Sequence, residues 1–152
     1  MYCIKTVLQV KSDLKTVWDF YSTPSNLSQV TPDNIGFKML SELPESMYVG
    51  MVLRYRISPI ARIPMQWATE ITHIEPYKYF VDHQLEGPYK IWHHQHHFRE
   101  IEGGVEIEDI VHYALPLGPL GTLAHHLFVK KQIQSIFQHR EQTTNKIFGR
   151  FE

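Results

Sequence analysis

Two alternating runs, Ile91–Ile101 and Val105–Leu115, meet across Glu102-Gly103-Gly104, and no other feature narrows the fold as much. A tight turn that needs positive φ joins antiparallel strands, because it is too short to carry the chain across a sheet. Alternation then sorts the side chains onto two faces. With Glu102 opposite Val105, Phe98 faces Asp109, His96 faces Val111, His94 faces Tyr113 and Trp92 faces Leu115. The opposite face carries His93, Gln95, His97, Arg99, Glu106, Glu108, Ile110 and His112, with Arg99 across from Glu108 as an exposed pair. That face is the wetter one. Trp92, His94, His96, Phe98, Asp109, Val111 and Tyr113 are therefore expected inside.

The rest of the chain extends the same sheet. Met1–Val10 alternates and reads as a strand. Ser12 is placed to cap a short helix over Asp13–Tyr21, and Thr23-Pro24 opens a second one. Further strands are expected at Phe37–Leu43, Met51–Ser58, Ile63–Ile74 and Tyr79–Leu85, with breaks at Pro44, Gly50, Pro59, Pro76 and Gly87-Pro88. Inward sets are Leu53, Tyr55 and Ile57, then Met65, Trp67, Thr69 and Ile71. Tyr79–Leu85 stays open: hydropathy favours Tyr79, Val81, His83 and Leu85 as the inner set over Phe80, Asp82 and Gln84. From about Leu120 to Phe148 the chain reads as one long helix, the only element able to cover the sheet. The expectation is an α+β fold: seven strands in a curved antiparallel sheet, two short helices after the first strand, and a long C-terminal helix.

That helix carries an apolar stripe of Val129, Ile133, Ile136, Phe137, Ile147 and Phe148, and Arg140 falls on it. A buried arginine needs a carboxylate or a ligand anion; otherwise its guanidinium reaches out at the edge. Upstream, Leu115, Leu117, Leu120, Leu123 and Leu127 lie off the stripe. They read as a gate, as a contact surface, or as packing against the short helices near Trp18 and Phe20.

Composition excludes several classes of function. The chain has 152 residues, which suits one domain spanning 1–152. Fifteen basic residues against sixteen acidic ones give a formal charge of −1, so nucleic acid is not expected as a partner. Cys3 is alone, no signal peptide is recognisable, and no run is long enough to span a membrane. A cytoplasmic location is expected. Ten histidines make the charge sensitive to acid.

With these residues in view, the chain resembles the START-like superfamily, also called SRPBCC or polyketide-cyclase-like. The resemblance spans nearly the whole chain. It rests on Trp67 leading to Ile71, Phe80-x-Asp82-x-Gln84 before Gly87-Pro88, and Trp92-x-His94-x-His96-x-Phe98 before Gly103-Gly104. It continues with Asp109-x-Val111-x-Tyr113, Pro116, Gly118, and Ile136-Phe137 with Arg140. The pattern is similar to a bacterial subgroup described as ligand-binding SRPBCC proteins. The resemblance implies a helix-grip fold with a cavity between sheet and helix, and it turns Phe80, Asp82 and Gln84 inward, with Asp82 across from His94. Members include lipid carriers, hormone receptors and aromatase/cyclases, and similar folds form homodimers, although no feature of this chain requires one.

Three chemistries follow. One is a pocket for a small apolar or amphipathic molecule, lipid-like or aromatic. Its expected lining is Tyr55, Trp67, Thr69, Phe80, Asp82, Gln84, Trp92, His94, His96, Phe98, Asp109, Val111, Tyr113, Ile133, Phe137 and Arg140. The second is cyclase- or isomerase-type acid–base catalysis by Asp82 and His94, with Tyr113 near. The third is a metal site on His94 and His96 with Asp82 or Asp109, since side chains at i and i+2 of a strand can converge on one ion. Against all three stands a buried polar network that satisfies itself, in a regulatory or interaction domain whose pocket is vestigial. No cofactor is called for, and binding without catalysis is the leading expectation.

Overall fold

A computed structural model describes residues 1–60 and 63–151, with the backbone alone at 59 and 60. The strands are β1 (Tyr2–Val10), β2 (Lys38–Met39), β3 (Val52–Ile60), β4 (Ile63–Glu75), β5 (Tyr79–Glu86), β6 (Ile91–Ile101) and β7 (Gly104–Ala114). Helix α1 (Leu14–Tyr21) and two short 3₁₀ turns, Pro24–Ser28 and Asp33–Ile35, separate β1 from β2. At the end of the chain, α2 (Gly118–Ala124), a π-turn (His125–Val129) and α3 (Lys130–Phe148) follow one another without a break.

All seven strands form one antiparallel sheet in the order β1-β7-β6-β5-β4-β3-β2. The first strand closes against the last, so β1 and β2 are the edges among the described residues. Helix α3 lies over the β7 side, packing Ile133 and Phe137, with Val129 of the π-turn, against Val111 and Tyr113. Helix α1 covers the other end, where Trp18 meets Phe80 and Phe98 edge-on. This is the α+β helix-grip arrangement.

The β6–β7 register differs from the expected one by two residues. The hairpin closes on Ile101 and Gly104, with Gly103 at φ +80° in the turn. Gly104 belongs to the strand because a Cβ there would stand 2.2 Å from the Val10 carbonyl oxygen. A shift of two keeps every side chain on its face but changes its partner. Asp109 therefore sits opposite His96, Val111 opposite His94 and Tyr113 opposite Trp92. Arg99 meets Glu106 at 2.7 Å, not Glu108.

Other boundaries also moved. Asp13, not Ser12, caps α1, its carboxylate accepting from Thr16 N at 2.9 Å. Strand β3 runs through Pro59 to Ile60 with a register shift after Ile57, and the turn into β4 lies outside the described residues. The expected strand Phe37–Leu43 shrinks to Lys38–Met39. The C-terminal helix starts at Gly118 and contains Gly121, where a Cβ would strike the Pro116 carbonyl at 2.1 Å. Its lower stripe uses Thr144, fully buried, while Ile147 is exposed. Leu117, Leu120, Leu123 and Leu127 do not pack on the short helices; each is more than half exposed. Among the described residues, no helix is long and apolar enough to cross a membrane.

Candidate functional site

Strands β5, β6 and β7 each deliver polar side chains to the concave face under α3. Strand β5 turns Phe80 and Asp82 inward, as the resemblance implies and against the hydropathy of that strand. A bulge in β4 between Ile71 and His73 breaks the alternation beside them. Asp82 lies opposite His94 along the backbone, and His96 lies opposite Asp109.

The side chains close a ring in which carboxylate and imidazole alternate. His96 Nε2 is 2.9 Å from Asp82 Oδ2, and His96 Nδ1 is 2.8 Å from Asp109 Oδ1. His94 Nε2 is 3.0 Å from Asp109 Oδ1, and His94 Nδ1 is 3.5 Å from Asp82 Oδ2. Three of these contacts are short. The one from His96 Nδ1 is off the hydrogen-bond direction and acts as an ion-pair contact. The two imidazoles lie tilted at 36° with centroids 3.7 Å apart, and Phe80 stacks on His96 at 4.1 Å. Thr69 Oγ1 lies 3.3 Å from the remaining oxygen of Asp82 and 3.2 Å from the His83 carbonyl, two acceptors that share its one proton.

Burial and charge act against one another here. Burial alone would raise both carboxyls, but His94, His96 and Arg140 outweigh it and hold Asp82 below its ordinary value. Asp109 is held well below by the hydrogen bond from His94, the close ion-pair contact of His96, and Arg140. Burial, helped by repulsion from His96, pushes His94 down to about 4. His96 resists the same burial, because Asp109 and Asp82 together raise it above the ordinary histidine range. The ring therefore takes its proton on His96 and leaves His94 neutral.

Arg140 enters from α3, a residue otherwise surrounded by apolar neighbours. Its side chain is 13% exposed and Nη1 is 3.6 Å from Asp109 Oδ1. Nε and Nη1 are buried and find no hydrogen-bond acceptor among the described residues. The guanidinium also lies 5.6 Å over the Phe137 ring.

Beside this cluster is a cavity of about 170 Å³. Of the residues expected to line it, Tyr55, Trp67, Thr69, Phe80, Asp82, Trp92, His94, His96, Phe137 and Arg140 do so. Six do not. Val111 and Ile133 are fully buried in the core, and Phe98 packs on Trp18. Gln84 instead ties down the β5–β6 loop, donating to the Tyr89 carbonyl at 2.7 Å. Tyr113 is paired with His125 Nε2 at 2.8 Å. Asp109 faces a second cleft, between β1 and α3, lined also by Ile4, Thr6, Gln138, Glu141 and the far side of Arg140. Tyr21, Phe137 and Arg140 line both and so form the partition between cavity and cleft, with Asp109 on the cleft side.

Sequence reasoning missed Tyr21, Ile35, Phe37 and Tyr89 in the cavity wall. Ile35, Phe37 and Tyr89 come from turns and loops, and Tyr21 is the last residue of the short helix α1, where no long period assigns a face. Tyr89 alone carried a signal, standing directly after Gly87-Pro88.

Solved structures with the same architecture are numerous. Protein CV1439 from Chromobacterium violaceum superposes with a TM-score of 0.75 at 8% identity, over 99% of this chain and 100% of that one. The fold is shared. TTHA0849 from Thermus thermophilus gives 0.66 at 13% identity, over 96% and 99%. Ginseng major latex-like protein 151 from Panax ginseng gives 0.59 at 20% identity, over 88% and 95%. No family model matches the sequence, and no curated relative matches it. At such identities the likeness carries architecture, and function has to be argued from the site.

Proposed function

We propose that this chain binds a small, largely apolar molecule bearing one acidic group. The observation that carries the reading is Arg140, a guanidinium in the cavity wall whose buried Nε and Nη1 lack an acceptor. A buried guanidinium whose ion pair with Asp109, at 3.6 Å, leaves Nε and Nη1 without a hydrogen-bond acceptor among the described residues is costly, and a ligand anion would satisfy it through charge-assisted hydrogen bonds. Tyr55, Trp67, Trp92 and Phe37 supply apolar wall for the rest of the molecule. Size narrows the class. An apolar cavity of roughly 150 Å³ accepts benzene, and drug-sized ligands need about 300 Å³ or more. At about 170 Å³ the site suits a one- or two-ring aromatic acid better than a long acyl chain.

Calorimetric binding of 2-naphthoate and of neutral 2-naphthalenemethanol tests this. Arg140→Met is expected to weaken naphthoate at least tenfold and to leave the alcohol unchanged. Equal loss of both, or no naphthoate binding to the parent chain, would sink the reading.

A second reading is acid–base catalysis on such a molecule, and the ring favours it by setting two adjacent imidazoles apart, His94 down to about 4 and His96 raised. It requires a revised pairing. His94 and Asp82, the expected dyad, are 3.5 Å apart, and each has a nearer partner. Deuterium exchange α to the carbonyl of 2-tetralone, read by NMR, would reveal it. His94→Gln is expected to abolish exchange while retaining binding.

A further inference from the structure

We infer that Asp82, His94 and His96 form a three-ligand site for a divalent first-row transition metal, opening onto the cavity. The three offer one ligand atom each, all within 4.8 Å of one another. With bonds of about 2.0–2.1 Å, ligand atoms around a tetrahedral ion stand roughly 3.3 Å apart. Asp82 Oδ2 is 2.9 Å from His96 Nε2 and 3.5 Å from His94 Nδ1, so modest side-chain adjustment admits an ion.

The surrounding layer is the stronger argument. Ligating histidines characteristically donate their other ring nitrogen to a carboxylate, which fixes the tautomer. Here the far nitrogen of His94, Nε2, donates to Asp109 Oδ1 at 3.0 Å, and that of His96, Nδ1, makes an ion-pair contact with the same oxygen at 2.8 Å. Asp109 is excluded from the cavity wall and is backed by Arg140. Asp82 turns Oδ1 to the Thr69 hydroxyl, which it shares with the His83 carbonyl, and Oδ2 to the rings.

The hydrogen-bond pattern also assigns a tautomer with a consequence. Once His94 donates Nε2–H to Asp109, its Nδ1 carries a lone pair facing Asp82 Oδ2 at 3.5 Å. Two acceptors facing each other call for a cation between them. Two histidines and one carboxylate with free positions towards a cavity are the donor set of iron(II) and zinc sites. The free positions would accept an oxygen of the bound molecule.

The inference uses the cavity proposed above but not its ligand, and the experiments are separable. Chelator-treated protein is titrated with Co²⁺, with no organic molecule present, and followed by calorimetry and visible absorbance. One ion per chain with d–d bands is expected, reduced at least tenfold in His94→Gln and in His96→Gln. Near-UV circular dichroism confirms that each variant is folded. Asp109→Asn is expected to weaken binding about 10–100-fold while retaining the bands. No saturable binding to the parent chain overturns the site. Binding that survives both inner variants but is lost in His93→Gln, on the outer face, also overturns it. Naphthoate binding is scored independently, so either proposal can fail alone.

Discussion

His96 Nε2 lies 2.9 Å from Asp82 Oδ2, although the backbone places Asp82 opposite His94. The hydrogen bond runs diagonally across the β5–β6 pair, within the reach of side chains two positions apart. It also helps to decide which imidazole is charged. Asp82→Asn keeps the shape and removes the charge. In metal-free protein, His96 is expected to titrate at lower pH in this variant, and imidazole NMR reads the change. An unchanged titration would mean that Asp109 alone holds the proton.

Stability of the metal-free protein should fall as pH drops from 6.5 towards 4. Folded His94 refuses its proton down to about 4, whereas the unfolded chain accepts it from 6.5 downward. Stability therefore rises with pH across this window, and the loss at its lower end is on the order of 3 kcal/mol. Asp82 and Asp109 act further down. Their folded values are depressed, so their contribution is present above the ordinary carboxylate range and is lost as pH falls through the folded values. His96 has the opposite sign: raised when folded, it stabilises below 6.5 and ceases to do so as pH rises through its folded value. Urea unfolding of the parent and of His94→Gln at about pH 7, 5.5 and 4.5 separates these contributions. The variant is expected to show the shallower decline between the first and last of these.

Thr144 holds α3 to α1 through one buried hydrogen bond, 2.8 Å from its Oγ1 to the Tyr21 hydroxyl. Burial raises the Tyr21 phenol to about 12, so it remains protonated at neutral pH. Thr144→Val keeps the volume and leaves the phenol without this partner. A destabilisation of about 1–2 kcal/mol is expected from denaturant unfolding. A neutral result would mean that Tyr21 finds another partner.

Gly121→Ala provides a test of sign. In an exposed helix interior this change stabilises by up to about 1 kcal/mol. Here the new methyl would meet the Pro116 carbonyl at 2.1 Å, and backbone has to move. A fall in Tm of several degrees is expected by calorimetry. A rise would show that the start of α2 is free to shift away from Leu115-Pro116.

How much of the site could be read in advance follows from which rule each residue obeyed. Trp67, Trp92, His94 and His96 were legible because strand alternation sends them inward wherever the pairing begins. Asp82 was not, because Val81, also buried, makes β5 apolar on both faces, and only the resemblance turned it the right way. Tyr21, at the end of the short helix α1, and Phe37, between Ile35 and β2, were illegible because no period fixes a face there, and Tyr89 was marked only by its place after Gly87-Pro88. Gln84 and Tyr113 were sent to the correct side but bond to Tyr89 and His125, contacts that no local rule specifies.

The sequence by itself determined the faces. Period-two alternation survives a register error of two residues, so inner and outer sets of β6 and β7 held while every cross-strand partner changed. It also determined that Arg140 shares a helix stripe with Ile133 and Phe137. Tertiary structure decided the rest. The approach of Val10 to Gly104 fixed the hairpin frame, and that frame brought Asp109 level with His96. The packing of α3 across the sheet then set Arg140 behind Asp109 and turned it from solvent into the cavity wall. Those contacts join residues far apart in the chain, and their geometry comes from long-range packing that local periodicity does not encode.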